Sequence, residues 1–374
     1  MQNIKIAVLT GKRGGYGAMK PMLKLFDKSK FFDLNIIATD QHLDTKFGTT
    51  VKEIENSFSC LTKIPLKQKN DSSFERTKAM SKLTAELSKV FEKSLPDIFF
   101  LYGDRSEVLS AALAALHFNI IIAHIQGGDL TGNIDDSIRH AVTKLSHLHF
   151  VSCRDSFNRI KGMYEDEWRI KVVGDSHIDP IIQKKFCKPQ IIKKKFKIRK
   201  NLIIFLMHPE TLDASKDYNV LKKYIEFLLS LNFEIIAVYP CSDNGYQKII
   251  DILKFYEDQK NFRLFKNIDS FYFLGLMNIA HIIVGNSSSG IIEAPYFSLP
   301  TINIGERQKN RSGIENVYNV NYDFENFKKI VLKILNSKIK SKFKRIYGNG
   351  KTGKNIFNAI LNLKKSKGEI INKL

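Results

Sequence analysis

The most specific arrangement of chemically capable residues is Gly285-Asn-Ser-Ser-Ser-Gly-Ile-Ile-Glu-Ala294, directly after the apolar run His281–Val284. Small hydroxyl residues and glycine at the start of a helix suit a phosphate, because backbone N–H groups and hydroxyls all point at it. Glu293 falls one turn beyond Ser289, a spacing that allows it to grip the ribose hydroxyls of a nucleotide whose phosphates rest on the turn. The rival account is a serine-rich helix cap with nothing bound.

Tyr102-Gly-Asp-Arg-Ser-Glu107 also follows an apolar run. A carboxylate and a guanidinium side by side at a strand end are costly unless they face a cleft, where Asp104 can act as an acid or base. Asp104 as a helix cap is the alternative. In His124-Ile-Gln-Gly-Gly-Asp-Leu-Thr-Gly-Asn-Ile-Asp-Asp-Ser-Ile-Arg-His140 a helix is expected to begin near Asp135, with apolar positions Ile134, Ile138, Val142 and Leu145. Asp135 and Arg139 then lie one turn apart, as do Asp136 and His140, at a positive helix terminus that keeps carboxylates ionised. Surface ion pairs on an ordinary helix explain those pairs, but not the preceding Gln126-Gly-Gly-Asp129.

Thr10-Gly-Lys-Arg-Gly-Gly-Tyr-Gly17 lets a ligand approach the backbone and offers the Arg13 fork to phosphate, although it lacks a dinucleotide fingerprint and also reads as a plain flexible turn. Met207-His-Pro-Glu210 supplies His208 at a strand end, where a structural histidine is the competing reading. Gly348-Asn-Gly-Lys-Thr-Gly-Lys354 imitates a P-loop and is rejected, since Asn355 replaces the magnesium-binding Ser/Thr and no buried strand precedes it.

The elements that must position these loops are short apolar runs alternating with amphipathic stretches, the pattern of βαβ units around buried parallel sheets. Strands are expected at Ile4–Leu9, Leu34–Ala38, Ile98–Leu101, Ile120–Ile125, His149–Ser152 and Lys171–Val173. A second series comprises Leu202–Leu206, Glu234–Tyr239, Arg263–Phe265, His281–Val284 and Thr301–Ile304. Lys184 to Lys200, rich in lysine, reads as a solvated connection, and the chain from Asn326 onward as basic helices. Two Rossmann-like α/β halves result, with ligands expected at the carboxyl ends of the strands.

A length of 374 residues favours two domains, and 43% hydrophobic with 26% charged residues excludes a disordered or fibrous chain. No apolar run approaches the roughly 20 residues of a membrane helix, and no secretory signal opens the sequence, so a cytoplasmic protein without membrane association is expected. The net charge of +21 permits polyanion binding, but the lysines are dispersed rather than clustered. No nucleic-acid partner is expected; the positive field helps to draw in a small anionic substrate. Cys60, Cys153, Cys187 and Cys241 fit no zinc or CxxC spacing and read as unpaired thiols. Metal-independent catalysis without a cofactor is expected.

Together these segments resemble the hydrolysing UDP-N-acetylglucosamine 2-epimerases, which supply sugars for sialic and legionaminic acid synthesis. Matching stretches are Thr10-Gly-x-Arg13, His42-Leu43, Gly103-Asp-Arg105, Gly127-Gly-Asp through His147, His208-Pro209, Gly285 through Ala294 and Asn303-Ile-Gly-x-Arg-Gln308. The resemblance implies two Rossmann-like domains with parallel sheets facing across a cleft, as in B-type glycosyltransferases. These are an N-terminal domain over 1–183, a nucleotide-binding domain over 201–345, and a helix within 346–374 that returns to the first. It implies Arg13, Arg105, His208, Ser288, Ser289, Gly290, Glu293 and Arg307 around the nucleotide. His42, Gln126 and Asp129 fall near the sugar, and a homodimer or homotetramer is suggested.

The chemistry so implied is elimination of UDP to a 2-acetamidoglycal, then hydration with the proton returned to the opposite face of carbon 2. Asp104, Asp135 and Asp136 take the acid and base roles, and His208 with the arginines stabilises the departing diphosphate. The sequence departs from the family pattern in places. Gln126 stands where many members carry Glu, and a carboxamide cannot be a general base, so Asp104 or Asp135 must carry more. Gly15, Asp40 and Cys241 are further departures near the expected sugar pocket. The expected substrate is UDP-N-acetylglucosamine, giving N-acetylmannosamine. The alternatives are UDP- or GDP-N,N'-diacetylbacillosamine in the same reaction, or a retaining glycosyltransferase in place of a hydrolysing epimerase.

Overall fold

A computed structural model describes residues 3–70, 72–131, 134–210, 218–241, 243, 245–308, 310–311, 315–336 and 343–373. The chain forms two compact units. The first comprises Met1–Asp129, Asp135–Asp179 and Tyr347–Leu374; the second comprises Leu130–Ile134 and Pro180–Ile346.

The first unit holds strands β1 (Ile4–Thr10), β2 (Phe32–Thr39), β3 (Leu61–Ile64), β4 (Ile98–Tyr102), β5 (Ile121–Ile125), β6 (Leu148–Val151) and β7 (Ile170–Val172). They form one parallel sheet in the order β3-β2-β1-β4-β5-β6-β7. Both faces are buried, so alternate residues feed separate cores. Ile6, Val8, Ile36 and Phe100 face a cluster shared with helices Arg13–Asp27 and Thr352–Leu361. Ala7, Leu9, Ile37 and Phe99 face another, covered by Ser73–Lys93 and Ser106–His117. Phe26 packs on Phe32 and Phe357 at 5.0 and 5.4 Å between ring centres, tying the C-terminal segment into the first core.

The second unit holds β8 (Asn201–Leu206), β9 (Phe233–Val238), β10 (Phe262–Phe265), β11 (Ala280–Gly285), β12 (Thr301–Ile304) and β13 (Val317–Val320). Its parallel order is β10-β9-β8-β11-β12-β13, the arrangement in which strand order reverses beside the first strand. In each sheet the parallel register brings the loops after the strands to a single edge.

The expected strands recur with ends shifted by a residue or two, whereas β3 and β13 were not expected. One reading is corrected. Lys184 to Lys200 is not a solvated connection, because it contains the helix Pro189–Lys195 and buries Cys187, Ile192, Phe196 and Ile198 in the second unit. Its lysines lie on the outer side, while Ile192 and Phe196, one helical turn apart, face inward. Gly275 marks the close approach to this segment, since a Cβ there would lie 2.8 Å from both the Cys187 carbonyl oxygen and Ile192 Cγ1.

No described helix is long and apolar enough to cross a membrane. Among the described residues no disulfide joins the cysteines. The rejected P-loop imitation has its own occupant: the amides of Thr352 and Gly353 donate to the Asp179 carboxylate at 2.9 and 2.8 Å.

Candidate active site

In the first unit the loops after β1, β2, β4, β5 and β7 carry the polar residues. Gly11 lets the first loop pass close to Glu107, whose Oε1 would lie 2.6 Å from an added Cβ. Arg13 donates from Nε and Nη2 to Glu53 Oε2 at 3.1 and 3.0 Å. His42 is fully buried, with Thr10 Oγ1 2.9 Å from Nε2 and Thr50 Oγ1 2.7 Å from Nδ1. Burial, reinforced by Arg13, lowers it to about 4, so the ring is neutral and holds the loops after β1 and β2 together.

Arg105 and Arg76 share two carboxylates. Arg76 reaches Glu107 at 2.6 Å and Asp40 at 3.1 Å, while Arg105 reaches Glu107 at 2.8 Å and Asp40 at 3.4 Å. Burial alone would raise Glu107, but the two close guanidiniums overcome it and hold the carboxyl below its usual range. Burial raises Asp40, whose arginine contacts are longer. This network fixes the backbone immediately after Asp104.

Asp104 itself accepts from Arg139 Nη2, while Arg139 Nη1 donates to Asp136 Oδ1 and to the Asp129 carbonyl, both at 2.7 Å. The Arg139 side chain is 1% exposed. Burial works against its charge, but Asp104, Asp129, Asp136 and Asp135 together raise its pKa. Two carboxylates from separate elements are therefore held by one permanently charged group, and Asp135 lies half-buried beside them on the helix Ile134–Leu145. Arg139 is a residue that sequence reasoning counted only as an ion-pair partner within its helix.

The Gln126-Gly-Gly-Asp129 turn has local reasons for its composition. Gln126 and Gly128 have φ of 66° and 76°, and a Cβ on Gly128 would meet the Ser156 carbonyl oxygen at 2.5 Å. Asp129 is buried and accepts from Ser152 Oγ at 2.9 Å and Ser156 Oγ at 2.5 Å. His124, lowered to about 3 chiefly by burial, is neutral and donates from Nε2 to the Gly103 carbonyl at 2.7 Å, steadying the Asp104 loop. Gln126 Nε2 donates to Asp175 Oδ2 at 2.6 Å, and Asp175 Oδ1 lies 2.8 Å from His177 Nδ1. Neither Asp175 nor His177 stood out in the sequence.

In the second unit, the loops after β8, β9, β11 and β12 meet around His208. Fully buried Asn286 accepts from His208 N at 2.7 Å and donates to His208 O at 2.9 Å. The Cys241 amide donates to His208 Nδ1 at 3.1 Å. A ring nitrogen that accepts an amide proton carries none itself, so neutral His208 holds its proton on Nε2 and offers a donor there.

Ser289 Oγ lies 3.0 Å from Ser287 Oγ, and Ser288 and Ser289 open the short helix Ser289–Ile292. Gly290 is required by packing, because an added Cβ would lie 2.4 Å from Thr301 Cγ2. Glu293 follows the helix and is buried. Glu210 Oε1 accepts from Glu306 N at 2.8 Å, and Gly305 has φ 79°. Arg307 lies 3.6 Å from Asp243, which also accepts from the Cys241 thiol at 2.8 Å.

The chain matches a family model described as UDP-N-acetylglucosamine 2-epimerase over residues 24–361. It is 35% identical to a UDP-N,N'-diacetylbacillosamine 2-epimerase (hydrolyzing) of Legionella pneumophila over 94% of each chain. It is 36% identical to a GDP/UDP-N,N'-diacetylbacillosamine 2-epimerase (hydrolyzing) of Campylobacter jejuni, covering 85% of this chain and 84% of that one. Among solved structures, a Methanocaldococcus jannaschii UDP-GlcNAc 2-epimerase in complex with UDP-GlcNAc and UDP shares the fold. Its TM-score is 0.80 at 21% identity, with 96% of this chain and 99% of that one covered.

Proposed function

The chain belongs to the UDP-N-acetylglucosamine 2-epimerase family of hydrolysing nucleotide-sugar epimerases, and we propose that it releases UDP from a UDP-linked 2-acetamido sugar while inverting carbon 2. The observation that carries this reading is the Arg139 guanidinium shared by Asp104 and Asp136. The carbon-2 proton is weakly acidic, so its removal is coupled to departure of UDP, and inversion needs proton-transfer groups on both faces of the sugar. Asp104, Asp135 and Asp136 are the carboxyl groups offered for that work.

The nucleotide roles fall to residues of the second unit. The Nε2–H of His208 and the charge of Arg307 stabilise the departing diphosphate, Ser288, Ser289 and Gly290 cradle it, and Glu293 takes the ribose. The resemblance also assigns Arg13 and Arg105 to the nucleotide; in the first unit Arg13 pairs with Glu53, and Arg105 pairs with Glu107 and Asp40. His42 and Asp129 shape the sugar-side loops from within, and Gln126 acts through its amide.

Two substrates are in view. UDP-N-acetylglucosamine, with N-acetylmannosamine as product, is the substrate after which the matching family is named. Similarity to the two diacetylbacillosamine enzymes favours the 2,4-diacetamido sugar in the same reaction. Incubation with each nucleotide sugar, followed by chromatography of UDP and proton magnetic resonance of the sugar, decides between them. UDP released together with a free 2-epimer from one of them is the expected result. No UDP from either, or an epimer still bearing its nucleotide, sinks the proposal. Asp104→Asn is expected to abolish turnover while UDP affinity stays within about threefold, as befits a group acting in chemistry rather than in uniform binding.

A further inference from the structure

Gln126 has no proton-transfer chemistry of its own, yet it is bonded to a pair that does. Its Nε2 donates to Asp175 Oδ2 at 2.6 Å. Asp175 Oδ1 in turn accepts from His177 N at 2.9 Å and lies 2.8 Å from His177 Nδ1. The Tyr102 hydroxyl, two residues before Asp104, lies 3.2 Å from the same nitrogen. Asp175 is buried, whereas the His177 side chain is 22% exposed, so the pair has an inner carboxylate and an outer imidazole.

The loop that carries the pair is pinned. Asp175 N donates to the Tyr347 carbonyl at 2.7 Å, and Gly174 has φ 94°. A Cβ on Gly174 would lie 2.8 Å from Thr352 Oγ1, so only glycine allows the loop to press against that segment. Burial alone would raise Asp175, but His177 beside it and the hydrogen bonds from His177 and Gln126 overcome this and hold the carboxyl below its usual range. An ionised carboxylate only accepts, so His177 Nδ1 carries a proton, and the neutral form of the ring has its lone pair on Nε2. A buried aspartate that orients an imidazole in this way makes it an effective base.

We propose that His177 is the catalytic base for carbon 2, with Asp175 and Gln126 as its positioning residues. This rests on the hydrolysing-epimerase reading. In the elimination, His177 Nε2 takes the carbon-2 proton, the C–H electron pair becomes the C1–C2 double bond, and the C1–O pair leaves with UDP. The imidazolium then releases its proton to solvent. As water adds to carbon 1, a carboxylate among Asp104, Asp135 and Asp136 takes the proton that water loses and delivers it to carbon 2 on the other face. Gln126 fits the scheme where a glutamate does not, because two carboxylates within 3 Å of each other cannot both be ionised.

The test uses the full chain with UDP-N-acetylglucosamine and UDP-N,N'-diacetylbacillosamine in parallel, together with UDP binding by calorimetry. Wild type inactive on both defeats the epimerase reading itself. With wild type active, His177→Gly is expected to lose at least about 100-fold in kcat with KM and UDP affinity within about threefold. Added imidazole is expected to restore part of that activity, which a purely structural role does not predict. Gln126→Glu is expected to fold and to move the acid limb of kcat/KM, since a carboxyl that shares a proton with Asp175 changes the partner against which His177 titrates. Turnover of His177→Gly close to wild type, or loss without imidazole rescue in a variant that still binds UDP, overturns the assignment. If His177→Gly fails to fold, an unmoved acid limb in Gln126→Glu overturns it instead.

Discussion

Asn286 grips the backbone of His208 at both ends, accepting from its N–H at 2.7 Å and donating to its carbonyl at 2.9 Å. The amide thereby joins the loop after β11 to the loop after β8, and the Cys241 amide sets the ring that projects from it. Asn286→Ala leaves a donor and an acceptor without partners in a buried place, a loss of about 2–4 kcal/mol. A fall in Tm on the order of 10 °C is expected from thermal denaturation. Weaker UDP binding should accompany it, and an unchanged Tm would show that the bridge contributes nothing.

Arg139 is expected to tolerate no substitute. Arg139→Lys keeps a positive charge but replaces a planar fork with a single ammonium, so it cannot hold Asp104 and Asp136 in their present geometry. A fall in kcat on the order of 100-fold with little change in UDP affinity is the expected outcome. Arg139→Met takes the shared partner from two half-buried carboxylates and should destabilise the unit by about 1–3 kcal/mol. Steady-state kinetics and urea unfolding check the two variants, and wild-type kinetics for Arg139→Lys would rule out this positioning role.

Gly305→Ala probes the loop that carries Arg307. At φ 79° an alanine is strained, and its Cβ would stand 1.9 Å from Glu210 Oε1, the atom that accepts from Glu306 N. The loop must move or Glu210 must let go, and a cost of about 1–3 kcal/mol is expected. Calorimetry should show weaker UDP binding. Binding equal to wild type would mean that Arg307 has no part in holding the nucleotide.

Stability should fall on mild acidification. Burial lowers His42 and His147 to about 4 and His124 to about 3. Below about pH 6.5 the unfolded chain takes up a proton at each of these groups, while in the folded chain the three rings stay neutral until pH approaches 4. Stabilisation present in full above pH 6.5 is therefore lost as pH falls towards 4, by about 1.4 kcal/mol per pH unit for each histidine. Urea midpoints at pH 7.5, 6 and 5 test this, with His124→Gln expected to flatten the slope. Equal midpoints across that range would contradict it.

The apolar runs that became central strands were plain in the sequence because strands buried on both faces read as continuous hydrophobic stretches. β3 and β13 escaped notice because each is a four-residue edge strand, mostly half-exposed, with Lys63 and Asn319 inside. The segment after Lys184 reads as solvated from its lysines, but lysines cover the outside of a packed helix equally well.

At the candidate site, spacing points to Asp135 with Arg139 and Asp136 with His140, whereas Arg139 bonds Asp136. Asp136 and Arg139 lie three positions apart, but Asp104 meets Arg139 across 35 positions and Gln126 meets Asp175 across 49. Those encounters are made by the sheet, which brings the loops after β4, β5 and β7 to one edge.

The first unit draws on both sides of the second in the chain: Tyr347–Leu374 supply Phe357 to its core, and Arg169 donates to the carbonyls of Ile370 and Asn372 at 2.6 and 2.7 Å. On the ribosome, the half synthesised first is therefore the half completed last. Pro180–Ile346 can collapse as one continuous stretch while the earlier residues wait with an open seam along the helix Arg13–Asp27, so nascent chains stalled before residue 347 should be the ones that chaperones and proteases find.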